Sequence, residues 1–150
     1  MRVVVATDKF KGSLTAAEVA ESLDRGLRRV VPEVEVVRVP VADGGDGTLD
    51  AFVSAGFERH PVTVSGPCGE PVSTAYARRG AVAVVELADA SGLGRLGAGL
   101  APLSASTRGT GEAIRLAVEA GCREVVVGLG GSASTEGGAG LITALGARIL

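Results

Sequence analysis

Two glycine-rich loops constrain this chain more than any other feature of its sequence. The first, DGGDGT at residues 43–48, lies between a short apolar segment and an amphipathic one, and the second spans residues 128–138. Glycine disorders a chain and neighbouring carboxylates repel each other, so three glycines and two acids in one loop contribute little to folding. The same loop suits a phosphate group, because glycines let backbone N–H groups approach it and carboxylates can hold Mg²⁺. We therefore predict phosphoryl transfer.

Strand and helix patterns alternate around the first loop. Residues 2–6 predict a buried strand, Thr15 and Glu18 have the spacing of a capping box at a helix start, and residues 34–39 predict a second strand. A second helix is predicted over residues 48–55. This order is typical of an α/β fold with a Rossmann-like parallel sheet flanked by helices, whose functional loops follow the carboxyl ends of strands.

The pattern changes near residue 60. Residues 61–65, 72–78 and 81–87 predict three short strands, the last two joined as a hairpin, before a helix over 111–120 and a strand over 124–129. A further helix is expected to end near Leu145.

We expect two α/β domains, the first begun by residues 1–62 and the second by residues 63–150. Residues 147–150 have the pattern of the opening of another buried strand. A natural domain would complete that strand, so we expect the chain to be truncated from a longer protein.

Composition narrows the possible partners. Hydrophobic residues make up 46% and charged residues 21%, which is typical of a globular protein. A net charge of −2 and 3% aromatic residues predict that the protein has no nucleic-acid-binding surface. The apolar stretch at the N-terminus is too short for a signal peptide or a membrane span. A cytoplasmic protein without a membrane partner is expected. His60 is the single histidine of the sequence, which excludes a two-histidine zinc site. Cys68 and Cys122 lack the C-x-x-C spacing of a metal or redox site, which predicts buried free thiols.

The loop after the first strand, DKFKGS at residues 8–13, has two interpretations. Lys9 or Lys11 could neutralise phosphate or carboxylate charge at the end of a strand, or the loop could be a solvated turn with ordinary surface lysines. Both interpretations remain open.

The loop at residues 43–48 favours function over structure, because an ordinary turn needs fewer glycines and no acids. Asp43 or Asp46 could hold Mg²⁺ or accept the proton of a substrate hydroxyl, and Gly44, Gly45 and Gly47 could donate backbone hydrogen bonds.

Two later segments are ambiguous. Gly109, Thr110 and Gly111 beside Arg108 could form a helix cap or an anion cradle. The second glycine loop matches the loosened dinucleotide pattern G-x-G-x-x-A at residues 128–133, although it continues further than that pattern requires. Neither glycine loop has the G-K-[ST] ending of a P-loop.

Several long motifs, in this order, resemble the bacterial type I glycerate kinases. The matching stretches are ATDKFKGSLTAAEVAE at 6–21, VPVADGGDGTLDAF at 39–52, SGPCGEPVSTAYA at 65–77, VVELADASGL at 84–93, APLSASTRGTGEAI at 101–114 and VVVGLGGSASTEGGAGLITALG at 125–146. The resemblance implies transfer of the ATP γ-phosphoryl group to a glycerate hydroxyl, with Mg²⁺, in a cleft between two α/β domains. It favours 2-phosphoglycerate as product and leaves a homo-oligomer open. Family members are more than twice as long, so the 150-residue piece need not be active alone.

The resemblance and the needs of phosphoryl transfer together suggest roles for particular residues. We expect Asp8, Lys11, Asp43 and Asp46 to be catalytic, with Asp43 or Asp46 as the Mg²⁺ ligand. The expected substrate-binding residues are Ser13, Gly44, Gly45 and Arg108. The expected nucleotide- or phosphate-binding residues are Gly109, Thr110, Gly130, Gly131, Ser132, Thr135, Glu136, Gly137 and Gly138.

This chain departs from the usual family pattern at a few of these positions. It has Asp46 where Glu is usual, Thr135 and Glu136 where Asn-Asp is usual, and Lys9 where Ser is frequent. The change at Asp46 keeps the carboxylate.

Two alternatives to a glycerate kinase come from the same loops. GGDGT at residues 44–48 also resembles the motif of NAD kinases and lipid kinases, although there it follows a strongly apolar strand directly. The pattern at 128–133 would suit a non-catalytic nucleotide-binding module, but the first strand lacks a glycine fingerprint.

Overall fold

The computed structural model describes residues 1–10, 12–97 and 99–150. Lys11, one of the predicted catalytic residues, lies outside these ranges. The described chain forms two compact units, Met1–Asp43 and Gly44–Leu150. The predicted domain division between residues 62 and 63 falls within a strand of the second unit and stays a prediction for the whole protein.

The first unit is one strand–helix–strand motif. Strands β1 (Arg2–Val5) and β2 (Glu35–Arg38) pair in parallel, and helix α1 (Ala16–Val30) connects them. The predicted capping box is confirmed: the Thr15 side chain accepts a hydrogen bond from the Glu18 N–H, and the Glu18 carboxylate accepts one from the Thr15 N–H. The hydrogen bonds that the Thr15 N–H and the Thr15 hydroxyl donate to the Glu18 carboxylate lower the pKa of Glu18.

The second unit is built on a four-stranded mixed sheet. Its elements are α2 (Thr48–Ser54), β3 (Glu58–Ser65), β4 (Pro71–Arg79), β5 (Val82–Glu86), α3 (Leu87–Ser91), a short 3-10 turn (Leu93–Arg95), α4 (Arg108–Glu119), β6 (Glu124–Gly128) and α5 (Ala139–Ala144). The strand order is β3-β4-β5-β6, with antiparallel pairing except between β5 and β6, which run parallel. The parallel step follows from the helical crossover that joins those two strands.

Alternation along the central strands produces an apolar core on each face of this sheet. Successive strand side chains point to opposite faces, so Val84 of β5 belongs to one core cluster and Val85 to the other. Helix α2 covers the face that carries Val84, through Leu49. Helix α4 covers the face that carries Val85, through Ala113 and Ala117. Small residues on α4 let the helix approach the sheet closely.

The predicted α/β class is confirmed, with parallel and mixed sheets flanked by helices. Helix α4 begins at Arg108 rather than at residue 111, and α3 begins at Leu87, the last residue of the strand predicted over 81–87. Residues 147–150 are exposed and irregular, so the expected strand is not formed, because no strand among the described residues pairs with this segment. Cys68 is exposed rather than buried, whereas Cys122 is buried, and both are free thiols.

Within the part of the chain that the structure describes, no helix has both the length and the apolar character needed to cross a membrane.

Candidate active site

The carboxyl ends of the two parallel strands of the second unit lie side by side at one edge of the sheet. Strands β5 and β6 pair with Glu86 opposite Gly128, so their carboxyl ends are adjacent. Glu86 is the last residue of β5, and Gly128, the last residue of β6, is the first residue of the second glycine loop. Ligand sites in α/β sheets commonly form at such an edge, because the loops that leave neighbouring strands converge there.

The two glycine-rich loops pack against each other at this edge through their backbones. The Gly130 N–H donates to the Gly44 carbonyl oxygen at 2.8 Å. A Cβ atom at Gly128 would lie 2.7 Å from the Gly44 oxygen, and one at Gly130 would lie 2.7 Å from the Gly45 Cα. Glycine at both positions is therefore required for the loop-to-loop approach, a role that the sequence pattern did not reveal.

The second loop is also held from its other side. The Leu93 N–H donates to the Gly131 carbonyl oxygen at 2.9 Å, and the Ala133 N–H donates to the Ser91 carbonyl oxygen at 3.1 Å. Residues 130–133 are thus fixed between the first glycine loop and the end of α3 with the turn that follows it. Such fixation is what a preorganised binding loop requires.

Asp46 lies at the junction of the two loops. Its side chain is exposed, and its Oδ2 atom is 3.9 Å from the position that a Cβ would take on Gly131. Three of its predicted companions, Gly44, Gly45 and Gly130, form the loop-to-loop contact, and Gly131 follows Gly130 in the second loop. The structure therefore brings together the core of the predicted site that belongs to the second unit.

Glu86 is a functional candidate that sequence reasoning did not select. Its side chain is buried, with 5% of its surface exposed, and its carboxylate accepts hydrogen bonds from the Gly47 N–H at 3.2 Å and the Leu49 N–H at 2.8 Å. Burial raises the pKa of Glu86, and the nearby charges of Asp89 and Asp46 add to this, against the lowering effect of the two N–H donors. The available signal was an acid directly at the end of the apolar strand VAVV.

A polar cavity of about 500 Å³ opens beside these groups, lined by residues that include Asp46, Glu86, Asp89 and Arg95. The Arg95 guanidinium is held by the Asp89 carboxylate at 2.6 Å and by the Ser73 carbonyl oxygen at 3.0 Å. Asp89 also accepts a hydrogen bond from the Thr74 hydroxyl at 2.7 Å. This wall of the cavity is therefore a rigid, mutually satisfied network.

Glu136 lies at the N-terminus of α4. Its Oε1 atom accepts hydrogen bonds from the Thr107 N–H at 2.5 Å, the Thr107 hydroxyl at 2.6 Å and the Ser106 hydroxyl at 3.3 Å. The Gly140 N–H, in the first turn of α5, also donates to this carboxylate. Burial acts to raise the pKa of Glu136, but the hydrogen bonds outweigh it and the pKa is lowered. One carboxylate thus caps two helices, which explains why α4 starts earlier than its sequence predicts.

The residues of the predicted anion cradle on the first turn of α4 mostly contact other protein groups. A Cβ on Gly109 would lie 1.8 Å from the Ser65 carbonyl oxygen. Thr110 is completely buried, and its hydroxyl donates to Ser91 Oγ at 3.0 Å. Arg108 is half-exposed and pairs with Glu112 at 2.9 Å. The nucleotide and substrate roles of these residues stay predictions.

The remaining predicted residues of the second loop have local partners. Ser132 Oγ accepts a hydrogen bond from the Ser134 N–H at 3.2 Å, and the Thr135 hydroxyl donates to the Pro102 carbonyl oxygen at 2.8 Å. Gly137 and Gly138 have φ values of 66° and 84°, in the left-handed region that favours glycine, and lead into α5.

The first unit brings Asp8 and Asp43 together through Lys9. Parallel pairing continues beyond the strands, with the Val41 N–H donating to the Thr7 carbonyl oxygen at 3.0 Å, so both acids follow paired segments. Lys9 Nζ lies 3.8 Å from Asp8 Oδ1 and 3.5 Å from Asp43 Oδ1. Ser13 is exposed, and its hydroxyl donates to the Phe10 carbonyl oxygen at 3.0 Å.

A dedicated metal site is absent from the described residues, since no group of three or more His, Cys, Asp or Glu side chains there could hold an ion. Magnesium bound together with a nucleotide does not need such a group, because it is held by one or two carboxylates, substrate phosphates and waters. The exposed carboxylates of Asp43 and Asp46 fit only that kind of magnesium binding.

Comparison with known proteins identifies the family. A model of the glycerate kinase family matches residues 3–150. The chain is 45% identical to the glycerate 2-kinase of Escherichia coli K12 over 99% of its length, and 45% identical to the glycerate kinase of Bacillus subtilis 168 over 100%. It spans about 40% of the length of each of these relatives.

A solved structure shows the same fold. A crystal structure of a Salmonella typhimurium LT2 protein assigned as glycerate kinase 2 superposes with a TM-score of 0.83 at 42% sequence identity. The match covers 100% of this chain and 42% of that protein. Sequence and fold agree over the same residues, and the chain belongs to the glycerate kinase family.

Proposed function

We propose that this chain contributes to an ATP-dependent glycerate kinase, a transferase that moves the γ-phosphoryl group of ATP to a hydroxyl of glycerate. The observation that supports it best is the packing of the two glycine-rich loops against each other at the carboxyl ends of β5 and β6, with Asp46 beside Gly131. Membership of the glycerate kinase family favours glycerate over NAD as the acceptor.

Phosphoryl transfer is catalysed mainly by positioning and by neutralising charge. We assign Asp46 or Asp43 to accept the proton of the attacking hydroxyl, because both carboxylates are exposed and directly precede glycines whose backbone a substrate can approach. Gly44 and Gly45 would orient the substrate from the same loop.

Magnesium supplies charge neutralisation at the transferred phosphoryl group in this proposal. The other of Asp43 and Asp46 would hold it, together with the nucleotide phosphates.

The anionic oxygens of both substrates require donors. The loop at Gly130, Gly131 and Ser132 is proposed for the nucleotide phosphates, because it is fixed on both sides by backbone hydrogen bonds. Arg108, with a half-exposed side chain, and the exposed Ser13 are proposed for the carboxylate or the transferred phosphate. In the first unit, Asp8 and Lys11 are proposed as further catalytic residues.

The relatives support a proposal for the product. The name of the E. coli relative, glycerate 2-kinase, supports 2-phosphoglycerate as the product. We propose a cytoplasmic enzyme of glycerate metabolism, consistent with its use of ATP.

The test is glycerate-dependent release of ADP from Mg²⁺-ATP, with NAD as the competing acceptor. It compares this chain with the longest open reading frame that contains it, and ³¹P NMR of the product distinguishes 2- from 3-phosphoglycerate. Turnover with D-glycerate supports the proposal. Phosphorylation of NAD alone, or tight nucleotide binding with no transfer in either protein, contradicts it.

A pair of variants tests the assigned carboxylates. Asp46→Asn is expected to lower kcat by about 100-fold or more, the size typical of a lost proton acceptor. Asp24→Asn on α1, which is paired with Arg28, is the matched control and should keep full turnover. Full activity in a folded Asp46→Asn variant would remove Asp46 from the mechanism.

A further inference from the structure

Glu86 has an unusual combination of burial and partners. A buried carboxylate is costly unless it is paired with a cation or fully hydrogen-bonded. Among the described residues, Glu86 has no ion pair within 4.0 Å, and it does not cap α3 although it stands at that helix's N-cap position. Its two hydrogen bonds go instead to a distant segment of the chain, the first turn of α2.

Those two hydrogen bonds hold the backbone on which Asp46 sits. Glu86 Oε1 accepts from the N–H of Gly47, the residue after Asp46, and Oε2 accepts from the N–H of Leu49. Gly47 has a φ of 91°, so the chain turns sharply there. The Thr48 hydroxyl closes the same turn by donating to the Gly45 carbonyl oxygen at 2.7 Å.

We propose that Glu86 is a positioning residue of this kinase: its carboxylate holds the turn at Gly47 and Leu49 so that Asp46 faces the loop at Gly130 and Gly131. The proposal rests on the proposed function, in which Asp46 acts on the substrate or its magnesium. The position of Asp46 beside the second loop depends on its backbone, because its side chain is exposed and is not held by burial.

The geometry requires a carboxylate of this length. Each oxygen of Glu86 accepts one N–H, so both oxygens must be acceptors. Gln offers one acceptor oxygen and an NH₂ group that would oppose the second N–H. Asp keeps two acceptors but is shorter by one methylene, so it is expected to retain at most one hydrogen bond.

The first measurement is amide hydrogen exchange on this chain, which does not depend on turnover. In Glu86→Gln, exchange at the Gly47 and Leu49 amides is expected to rise about tenfold relative to the core strand amides, the size of one lost hydrogen bond. Val85→Ala is the control, because Val85 is fully buried in the core cluster away from α2. It should lower global stability without changing that ratio.

The second measurement is the kinetics of the active protein. Glu86→Gln is expected to lower kcat about tenfold or more while KM for glycerate and ATP changes less than about threefold, and Glu86→Asp is expected to recover part of kcat. Val85→Ala should retain kcat at temperatures where it is folded.

The outcomes separate this inference from the proposed function. Unchanged exchange at Gly47 and Leu49 in Glu86→Gln overturns the inference, whatever the activity. Faster exchange with unchanged kcat also overturns it, because the turn would then not position the reacting groups. Absence of glycerate-dependent turnover in the wild-type protein contradicts the proposed function, and the exchange data then still decide whether Glu86 holds the turn.

Discussion

The backbone N–H of Gly130 donates a hydrogen bond to the carbonyl oxygen of Gly44, at 2.8 Å. This contact joins the two glycine-rich loops that are far apart along the chain. Because a side chain on Gly128 or Gly130 would strike the backbone of the first loop, the contact explains glycines that otherwise suggest only a phosphate site. Structural and ligand-binding roles are therefore superimposed in these loops, and mutations can separate them.

Gly130→Ala should destabilise the second unit by about 1–3 kcal/mol, the usual cost of overpacking. The new Cβ would lie 2.7 Å from the Gly45 Cα, and backbone cannot move aside as a flexible side chain can. Gly97→Ala is the control, because no described heavy atom lies within 4 Å of its Cβ position. Urea unfolding measures both, and equal stability of the two variants would contradict the packing argument.

Glu136→Gln should lose the carboxylate that caps α4 and α5, at a cost of about 1 kcal/mol at neutral pH. The folded pKa of Glu136 is lowered, so its stabilising contribution is present above its unfolded value of 4.5 and is lost as pH falls through the folded pKa. The stability gap between wild type and variant should therefore close below about pH 4.5. Unfolding curves at pH 7 and pH 3 measure it, and a gap independent of pH would exclude this role.

Thr110→Val tests whether a predicted nucleotide-binding residue acts in packing. The Thr110 hydroxyl is buried and donates to Ser91, so its loss should lower the free energy of unfolding by about 1 kcal/mol and leave KM for ATP unchanged. The opposite result, a raised KM for ATP at unchanged stability, would assign Thr110 to the nucleotide.

Glu86→Gln should change stability in a pH-dependent way opposite to that of Glu136→Gln. The folded pKa of Glu86 is raised, mainly by burial, so its favourable contribution is full below its unfolded value of 4.5 and is lost as pH rises through the folded pKa. The variant, which does not ionise, should therefore gain stability relative to wild type between pH 4 and pH 7. Parallel urea titrations measure this difference, and a constant difference would show that ionisation of Glu86 carries no cost.

Gly26→Ala on α1 should stabilise the first unit by about 0.5–1 kcal/mol, because glycine in a helix interior retains excess freedom in the unfolded chain. No described heavy atom lies within 4 Å of the position of its Cβ, and its φ is not positive. Gly56→Ala is the matched contrast, since its surroundings are equally open but its φ is 91°. Gly56→Ala should destabilise the second unit. If both variants shift the Tm of thermal unfolding in the same direction, the explanation is refuted.

The sequence predicted best what depends on near neighbours. The capping box of Thr15 and Glu18 was predictable because both partners lie within one helical turn. The hairpin between β4 and β5 was predictable for the same reason, since Gly80 provides the positive φ, 61°, that its short connection requires. The motifs that indicate the family are likewise continuous stretches of chain.

The roles of individual site residues depended on partners far along the chain. Gly47 and Leu49 lie 39 and 37 residues before Glu86, and nothing in their sequence indicates that a carboxylate reaches them. Glu136 is predicted as a phosphate-loop residue, which stays a prediction, and the sequence gives no sign that it also caps a helix beginning 28 positions earlier, at Arg108.

By itself the sequence determined the α/β class, most of the helices and strands, and the family, because periodicity, capping and turn chemistry are short-range properties of a chain. The tertiary structure alone decided that Gly128 and Gly130 make room for Gly44 and Gly45, and that Glu86 holds the turn after Asp46. Those contacts depend on the register of β5 beside β6, which sets which distant residues share one edge of the sheet.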